Sequence, residues 1–405
     1  MGEIGGHQLC CFEPVSASAY ASVSSDNRLR VWDTASGALR QQYVEPRHLS
    51  KQYTSIAWHR PDASVKRDST GQAKVPDLGL IALGTDKGSV TVWNLRRGAV
   101  AHDLGEGQGL QAVTSVAFSL DGSSLFASSS GKDVIEWSLE TGIETRRFRG
   151  IKQGATKIEL HPAGLILAIA SSSIKLVDLT TGKRYRKLSA GHAGSVRALA
   201  FSHDGRYLAS SASSSRFINV FDLSGGGAPE GPVATLSLSS PPLFIDLHAS
   251  EVGGKSGSQG GEFWLTLLVG MDTGGVEVIR ARHTSGEEDP AAVSPVSKCE
   301  LRGAPPSSSL SVLHGCLNPD SSSTMVLAMG SPVAPEFAEA VFEGANGALL
   351  ESAVAGFEKG RAGNLDGVEG GGKASARTEK GGEVHVVGPG EMGVSGMERD
   401  VLAEE

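Results

Sequence analysis

Residues 26–37, DNRLRVWDTASG, alternate apolar and polar positions up to a Trp-Asp pair and then break into Thr-Ala-Ser-Gly. A period-2 run closed by a turn cluster predicts a strand leading into a hairpin. The pattern returns in SVTVWNLRRGAV (89–100), DVIEWSLETGIE (133–144), SIKLVDLTTGKR (173–184) and FINVFDLSGGGA (217–228). Trp32, Trp93, Trp137, Val177 and Phe221 hold the equivalent position, at spacings of 61, 44, 40 and 44 residues. Asp33, Asp178 and Asp222 follow three of them and introduce the turn. The last three spacings fit a structural repeat of roughly 40–45 residues. The first is longer because RPDASVKRDSTGQAKVPDLG (60–79), polar and carrying two prolines, intervenes as a surface loop.

A second series precedes the first: TSIAWHRPD (54–62), VTSVAFSLDG (113–122), TKIELHPAG (156–164) and VRALAFSHDG (196–205). Each is a buried-type strand ending in a tight turn, and another strand begins straight after it. Each unit is therefore four strands joined by three turns, the blade of a β-propeller. QLCCFEP (8–14), PLFIDLHAS (242–250) and SLSVLHGCLNPD (309–320) extend the innermost series to seven members. The expected fold is all-β: a seven-bladed WD40-type β-propeller over about residues 1–345. No blade of such an array folds alone, because each buries its apolar faces against its neighbours.

From 346 on the composition changes to Gly, Glu and Lys with few aromatics, so 346–405 is expected to be a disordered tail. A short strand at EVHVV (383–387) is the one exception considered. Residues 343–405 carry 12 acidic and 6 basic side chains, a net of −6 out of −8 for the chain. The propeller itself is then near −2, which argues against a broad nucleic-acid-binding face and leaves room for local basic patches. MGEIGGHQLCC lacks the positive start and apolar core of a signal peptide, and no apolar run reaches the roughly 20 residues of a membrane span. Four sparse cysteines, Cys10, Cys11, Cys299 and Cys316, suit free thiols in a reducing compartment. The expectation is a soluble intracellular protein with no membrane partner.

Chemistry-bearing motifs are scarce. Cys10 and Cys11 are adjacent on a strand and point to opposite faces, so they cannot share a zinc ion. GEGQG (105–109) is not a phosphate loop, and neither GxSxG nor HExxH occurs. Glu136 and Glu159 form no identifiable acid pair. No catalytic, cofactor or metal residue is assigned, and no small-molecule substrate is expected. His192, after Gly191, takes the place of the Gly-His dipeptide of WD repeats, where the imidazole joins a structural hydrogen-bond network. Phe221 replaces the Trp of that network, which must be incomplete. His48 is a second candidate for such a place, near Trp93. The remaining candidates are two basic stretches on outer strands, ETRRFRG (144–150) and GKRYRKL (182–188), each mixing cations with an aromatic ring. They supply Arg146, Arg147 and Arg149, and Arg184, Arg186 and Lys187. Two readings stand side by side. One is a charged edge that discourages sheet-to-sheet pairing. The other is contact with RNA phosphates or an acidic partner.

ASVSSDNRLRVWDTASGALRQQYVEPRHLSKQYTSIAW (21–58) and MVLAMGSPVAPEFAEAVFE (325–343) are more specific than a generic WD repeat. They resemble the first blade and the propeller ending of the U-three small nucleolar RNA-associated protein five family, also called WD repeat-containing protein 43. That resemblance implies a nucleolar, non-enzymatic scaffold of the small-subunit processome. Its partners would be sister WD-repeat proteins and pre-ribosomal RNA, touched directly or indirectly, and its task support of pre-rRNA transcription and early 18S processing. The family's C-terminal helical domain and basic tail have no counterpart in this sequence. The competing function is a generic WD-repeat adaptor, such as a ubiquitin-ligase substrate receptor.

Overall fold

The computed structural model describes residues 9–364 apart from 46–47, 60–77, 108–109, 150, 152–153, 225–229, 252–261, 285–292, 303–311, 319–320, 344–347, 353–357 and 360–362. The strands fall into seven antiparallel sheets, each with four consecutive strands of the chain at its centre; the sixth gains two short strands from further along. The innermost strands are Leu9–Phe12, Tyr53–His59, Val113–Phe118, Lys157–Leu160, Val196–Phe201, Pro242–Glu251 and Val312–Asn318. Each touches the next, and the last touches the first, so the seven blades close a ring. The seven-bladed propeller read from the repeats is the fold. The polar insertion after Trp58 and the EVHVV stretch lie outside the described residues.

The core is not one cluster but seven, and each lies between two neighbouring blades. The recurring apolar position explains this. Trp93 packs against blade one, Trp137 against blade two, Val177 against blade three and Phe221 against blade four. Trp32, in blade one, packs across the closing seam against blade seven. Among the described residues the seam has no exchanged strand. Cys10, Phe12, Tyr20 and Trp32 meet Leu313 and Ala328, and Ser22 Oγ donates to the Pro332 carbonyl at 2.7 Å.

The polar residue after each apolar anchor caps the turn that follows. Asp33 accepts from the Ser36 N–H at 2.8 Å, Asn94 from Arg97 N–H at 2.9 Å, Asp178 from Thr180 N–H at 2.7 Å and Asp222 from Ser224 N–H at 2.8 Å. A side-chain carboxylate or amide thus replaces a backbone partner, which is why Asx residues recur there.

Past the boundary expected at 345, Ala348–Ser352 forms the fourth strand of blade seven. Glu358–Lys359 and Gly363–Asn364 then pair with Val293–Arg302, the outer strand of blade six. The propeller's sheets therefore draw on residues assigned by composition to the tail. Residues 365–405 lie outside the described part.

Candidate functional site

The outer strands of blades three and four, Glu144–Phe148 and Arg184–Leu188, carry the basic stretches. Both have the same irregular register against the strand inside them. In blade three Glu136 opposes Arg146 and Trp137 opposes Glu144, which leaves Thr145 extruded. In blade four Leu176 opposes Arg186 and Val177 opposes Arg184, which extrudes Tyr185. A bulge of this kind breaks the ladder locally and re-aims the extra side chain.

What surrounds the cations differs. Arg146 Nε donates to Glu136 Oε2 at 2.8 Å, and its Nη1 crosses to the Leu179 carbonyl of blade four at 2.6 Å. Arg147 is held by Glu144 at 2.6 Å and by Asp133 at 3.3 Å. The Arg147 guanidinium holds the Glu144 carboxyl below its usual range. Arg149 is exposed, and its charge also lowers Glu144. In blade four the position of Glu136 is taken by Leu176, which is fully buried. Arg186 Nη1 reaches the Asp222 carbonyl of blade five at 3.4 Å, as Arg146 does one blade earlier. Lys183, Arg184 and Lys187 are exposed, and Lys187 lies directly opposite Lys175 in the ladder. The six basic residues named from the sequence therefore do not form one patch. Arg146 and Arg147 are engaged by carboxylates of their own blade, Arg186 staples blade four to blade five, and Arg184 and Lys187 face solvent.

Beside Tyr185 lies a groove of about 560 Å³ between blades four and five. Leu176, Asp204, Arg206, Leu223 and Phe263 help to line it. The Arg206 guanidinium lies 3.9 Å from the Phe263 ring centroid and 3.7 Å from Asp222 Oδ2. The joint behind the groove is tight. His161 Nε2 meets the Gly205 carbonyl at 2.9 Å, and a Cβ on Gly205, whose φ is +74°, would run into that imidazole. The sequence reading missed Arg206, Phe263 and the groove, because they come from three different blades. Tyr185 was visible as the aromatic inside RYRK.

The other sequence-derived residues hold the blades. His192 meets Ser210 Oγ at 3.1 Å and Ser215 Oγ at 3.3 Å, and stacks on Phe217. Phe221 brings no donor, so the network stops there. In blade one the Trp is present and Trp32 Nε1 donates to Ser22 Oγ at 3.0 Å. In blade two the residue matching Ser22 is Leu83, and Trp93 Nε1 is buried without a partner. His48 opens a short 3-10 turn, His48–Ser50, and its side chain lies outside the described residues.

The innermost strands also bring titratable groups together. Burial raises the carboxyls of Glu159 and Asp246, and the charge of Asp246 adds to the rise of Glu159. Asp246 bridges blades six and seven by accepting the Leu317 N–H at 2.7 Å. His314 stacks on Phe244 and lies tilted against Phe12, and burial lowers its imidazole to about 4. Burial pushes the Cys10 thiol up to about 12 and raises Cys11 and Cys316 as well, which removes thiolate character. Cys10 packs into the closing seam and Cys11 toward blade two, on opposite faces. Glu136 and Glu159 are engaged separately, the first with Arg146 and the second in the field of Lys157 and Asp246. Among the described residues no group of three or more His, Cys, Asp or Glu side chains could hold a metal ion, and no helix is long and apolar enough to cross a membrane.

The family profile of the WD domain, G-beta repeat, matches residues 182–222, from the outer strand of blade four to the capping Asp222. Human WD repeat-containing protein 43 is 29% identical over 262 residues, which cover 60% of this chain and 39% of that protein. The pre-rRNA-processing protein crb3/ipi3 of Schizosaccharomyces pombe is 25% identical over 193 residues, 48% of this chain and 36% of that protein. The chain thus spans well under half the length of either relative. The chain is thus a seven-bladed β-propeller with a WD-type repeat, similar over part of its length to WD repeat-containing protein 43.

Proposed function

We propose that the chain is a non-enzymatic scaffold of ribosome biogenesis that works in the nucleolus. The observation that carries this is the pair of relatives: WD repeat-containing protein 43, and a protein whose name states pre-rRNA processing. In its finer form the proposal places the chain in the small-subunit processome, beside sister WD-repeat propellers and nascent pre-ribosomal RNA. There it supports transcription of the pre-rRNA and early 18S processing. The stretches 21–58 and 325–343, which resemble the processome family, favour this finer form. A scaffold role also suits what the polar groups do. Capping carboxylates hold turns, and the histidine network of blade five and the arginine staples hold blades together, while the rims of the blades stay open to partners.

The test is affinity purification of the tagged full chain from its own cells, with the bound RNA sequenced and the bound proteins identified. The expected result is pre-ribosomal 5′ leader RNA together with other processome propellers. Recovery of ubiquitin-ligase or signalling subunits without that RNA overturns the proposal in favour of a general adaptor.

A further inference from the structure

We infer that the groove between blades four and five, with the outer strand beside it, is a direct binding site for single-stranded RNA. The inference rests on the reading of the chain as an RNA-associated scaffold and adds to it the residues that touch the nucleic acid. Three observations meet at one place. Tyr185 is extruded by the bulge and is 51% exposed, so a large aromatic face is presented to solvent at the groove wall. Such a face is the stacking platform that unpaired bases use, at about 1–3 kcal/mol per base. The groove is also lined by Arg206, whose guanidinium carbon lies 3.9 Å from the Phe263 ring centroid. Arg184 and Lys187 are exposed on that strand and Lys183 is exposed just before it, where phosphates can meet them.

The register explains why this strand and not its neighbour. In blade three the carboxylate of Glu136 stands opposite Arg146 and Glu144 holds Arg147, so two of the cations are already neutralised. In blade four the matching position is Leu176, and the ladder sets Lys187 against Lys175. The bulge also argues against the other obvious occupant, an acidic peptide added as a further strand. Strand addition needs a regular edge, and at Tyr185 the ladder is broken.

The test uses the purified full chain and fluorescently labelled oligouridine and oligoadenine, with binding read by anisotropy over a salt series. Tyr185→Ala is expected to weaken binding about tenfold at fixed salt, with little change in the salt dependence. Arg184→Glu with Lys187→Glu is expected to weaken binding more than tenfold and to flatten the salt dependence by about two phosphate contacts. The control carries the same charge change on blade two, Arg96→Glu with Arg97→Glu, and is expected to bind as the parent does. Melting temperatures of all variants check that each is folded. Three results overturn the inference: a parent chain that does not bind the oligonucleotides, equal losses at the control and at blade four, or preference for an acidic peptide of matched charge over RNA. These results are separable from the scaffold reading. Binding lost in vitro while pre-ribosomal RNA still co-purifies with the double mutant removes the groove and keeps the scaffold. Groove-dependent binding in vitro without processome proteins in the purification keeps the groove and removes the scaffold.

Discussion

Blades three and four carry nearly interchangeable outer strands, ETRRF and RYRKL, on the same bulged register, and put them to different uses. The difference comes from one position on the strand inside. Glu136 gives blade three a carboxylate within reach of its arginine, and the edge becomes an internally compensated rim. Leu176 gives blade four none at that position, and cations and an aromatic ring remain turned outward. A basic stretch in a propeller sequence therefore says little until its cross-strand partner is known.

The largest effect separating the two blades is expected at their anchors. Trp137→Ala should cost roughly 3–5 kcal/mol, because the ring fills the joint with blade two. Val177→Ala, at the equivalent place in blade four, should cost clearly less in the same chemical-denaturation experiment. Equal losses would mean that the blades are not packed alike at this position. Next comes the joint behind the groove. Gly205→Ala combines a positive φ with a clash on His161 and should cost more than about 1 kcal/mol. Gly164→Ala at the joint of blades three and four meets only the Leu120 side chain at 3.2 Å and should cost less, mostly through its φ of +74°.

Glu136→Gln sharpens the contrast directly. It removes the charge opposite Arg146 and should destabilise by about 1 kcal/mol, the pair being only partly screened. It should also raise RNA affinity up to about twofold by unmasking Arg146. Unchanged affinity would mean that the carboxylate does not mask it.

The smallest effect is in the acid limb of stability. The folded-state pKa of Glu144 is depressed by Arg147, so the pair's contribution is present above the unfolded value near 4.5. It is lost as pH falls through the folded value. The side chains are partly exposed, so the contribution is at most about 1 kcal/mol. Stabilities of Glu144→Gln and the parent should differ above pH 5 and converge as pH falls through the depressed folded value. Arg184→Glu with Lys187→Glu, on the outer strand of blade four, should leave stability at pH 7 within about 0.5 kcal/mol of the parent. A large loss there would mean that the two cations hold the blade.

Much of this was legible in the chain. The repeats at Trp32, Trp93, Trp137, Val177 and Phe221 gave the blades, because a period-2 run closed by a capped turn is a local signal. Asp33, Asp178 and Asp222 gave the turns for the same reason. The last strand, Ala348–Ser352, escaped because ALLES sits in a Gly- and Glu-rich context, and its strand character comes from the edge it joins. The groove escaped because Tyr185, Arg206 and Phe263 belong to three consecutive blades and are brought together only by the packing of one blade on the next. The masking of Arg146 was within reach. Aligned repeat on repeat, VIEWS and IKLVD place Glu136 against Leu176, which is the contrast the ladder turns into chemistry.

The most direct measurement is ultraviolet crosslinking of the tagged full chain to RNA in its own cells, followed by sequencing of the RNA and mass-spectrometric mapping of the crosslinked peptide. The account predicts pre-ribosomal RNA attached to the peptide that contains Tyr185, and loss of that adduct in Arg184→Glu with Lys187→Glu. Crosslinks confined to the outer strand of blade three, or a chain that carries no pre-ribosomal RNA, would contradict it.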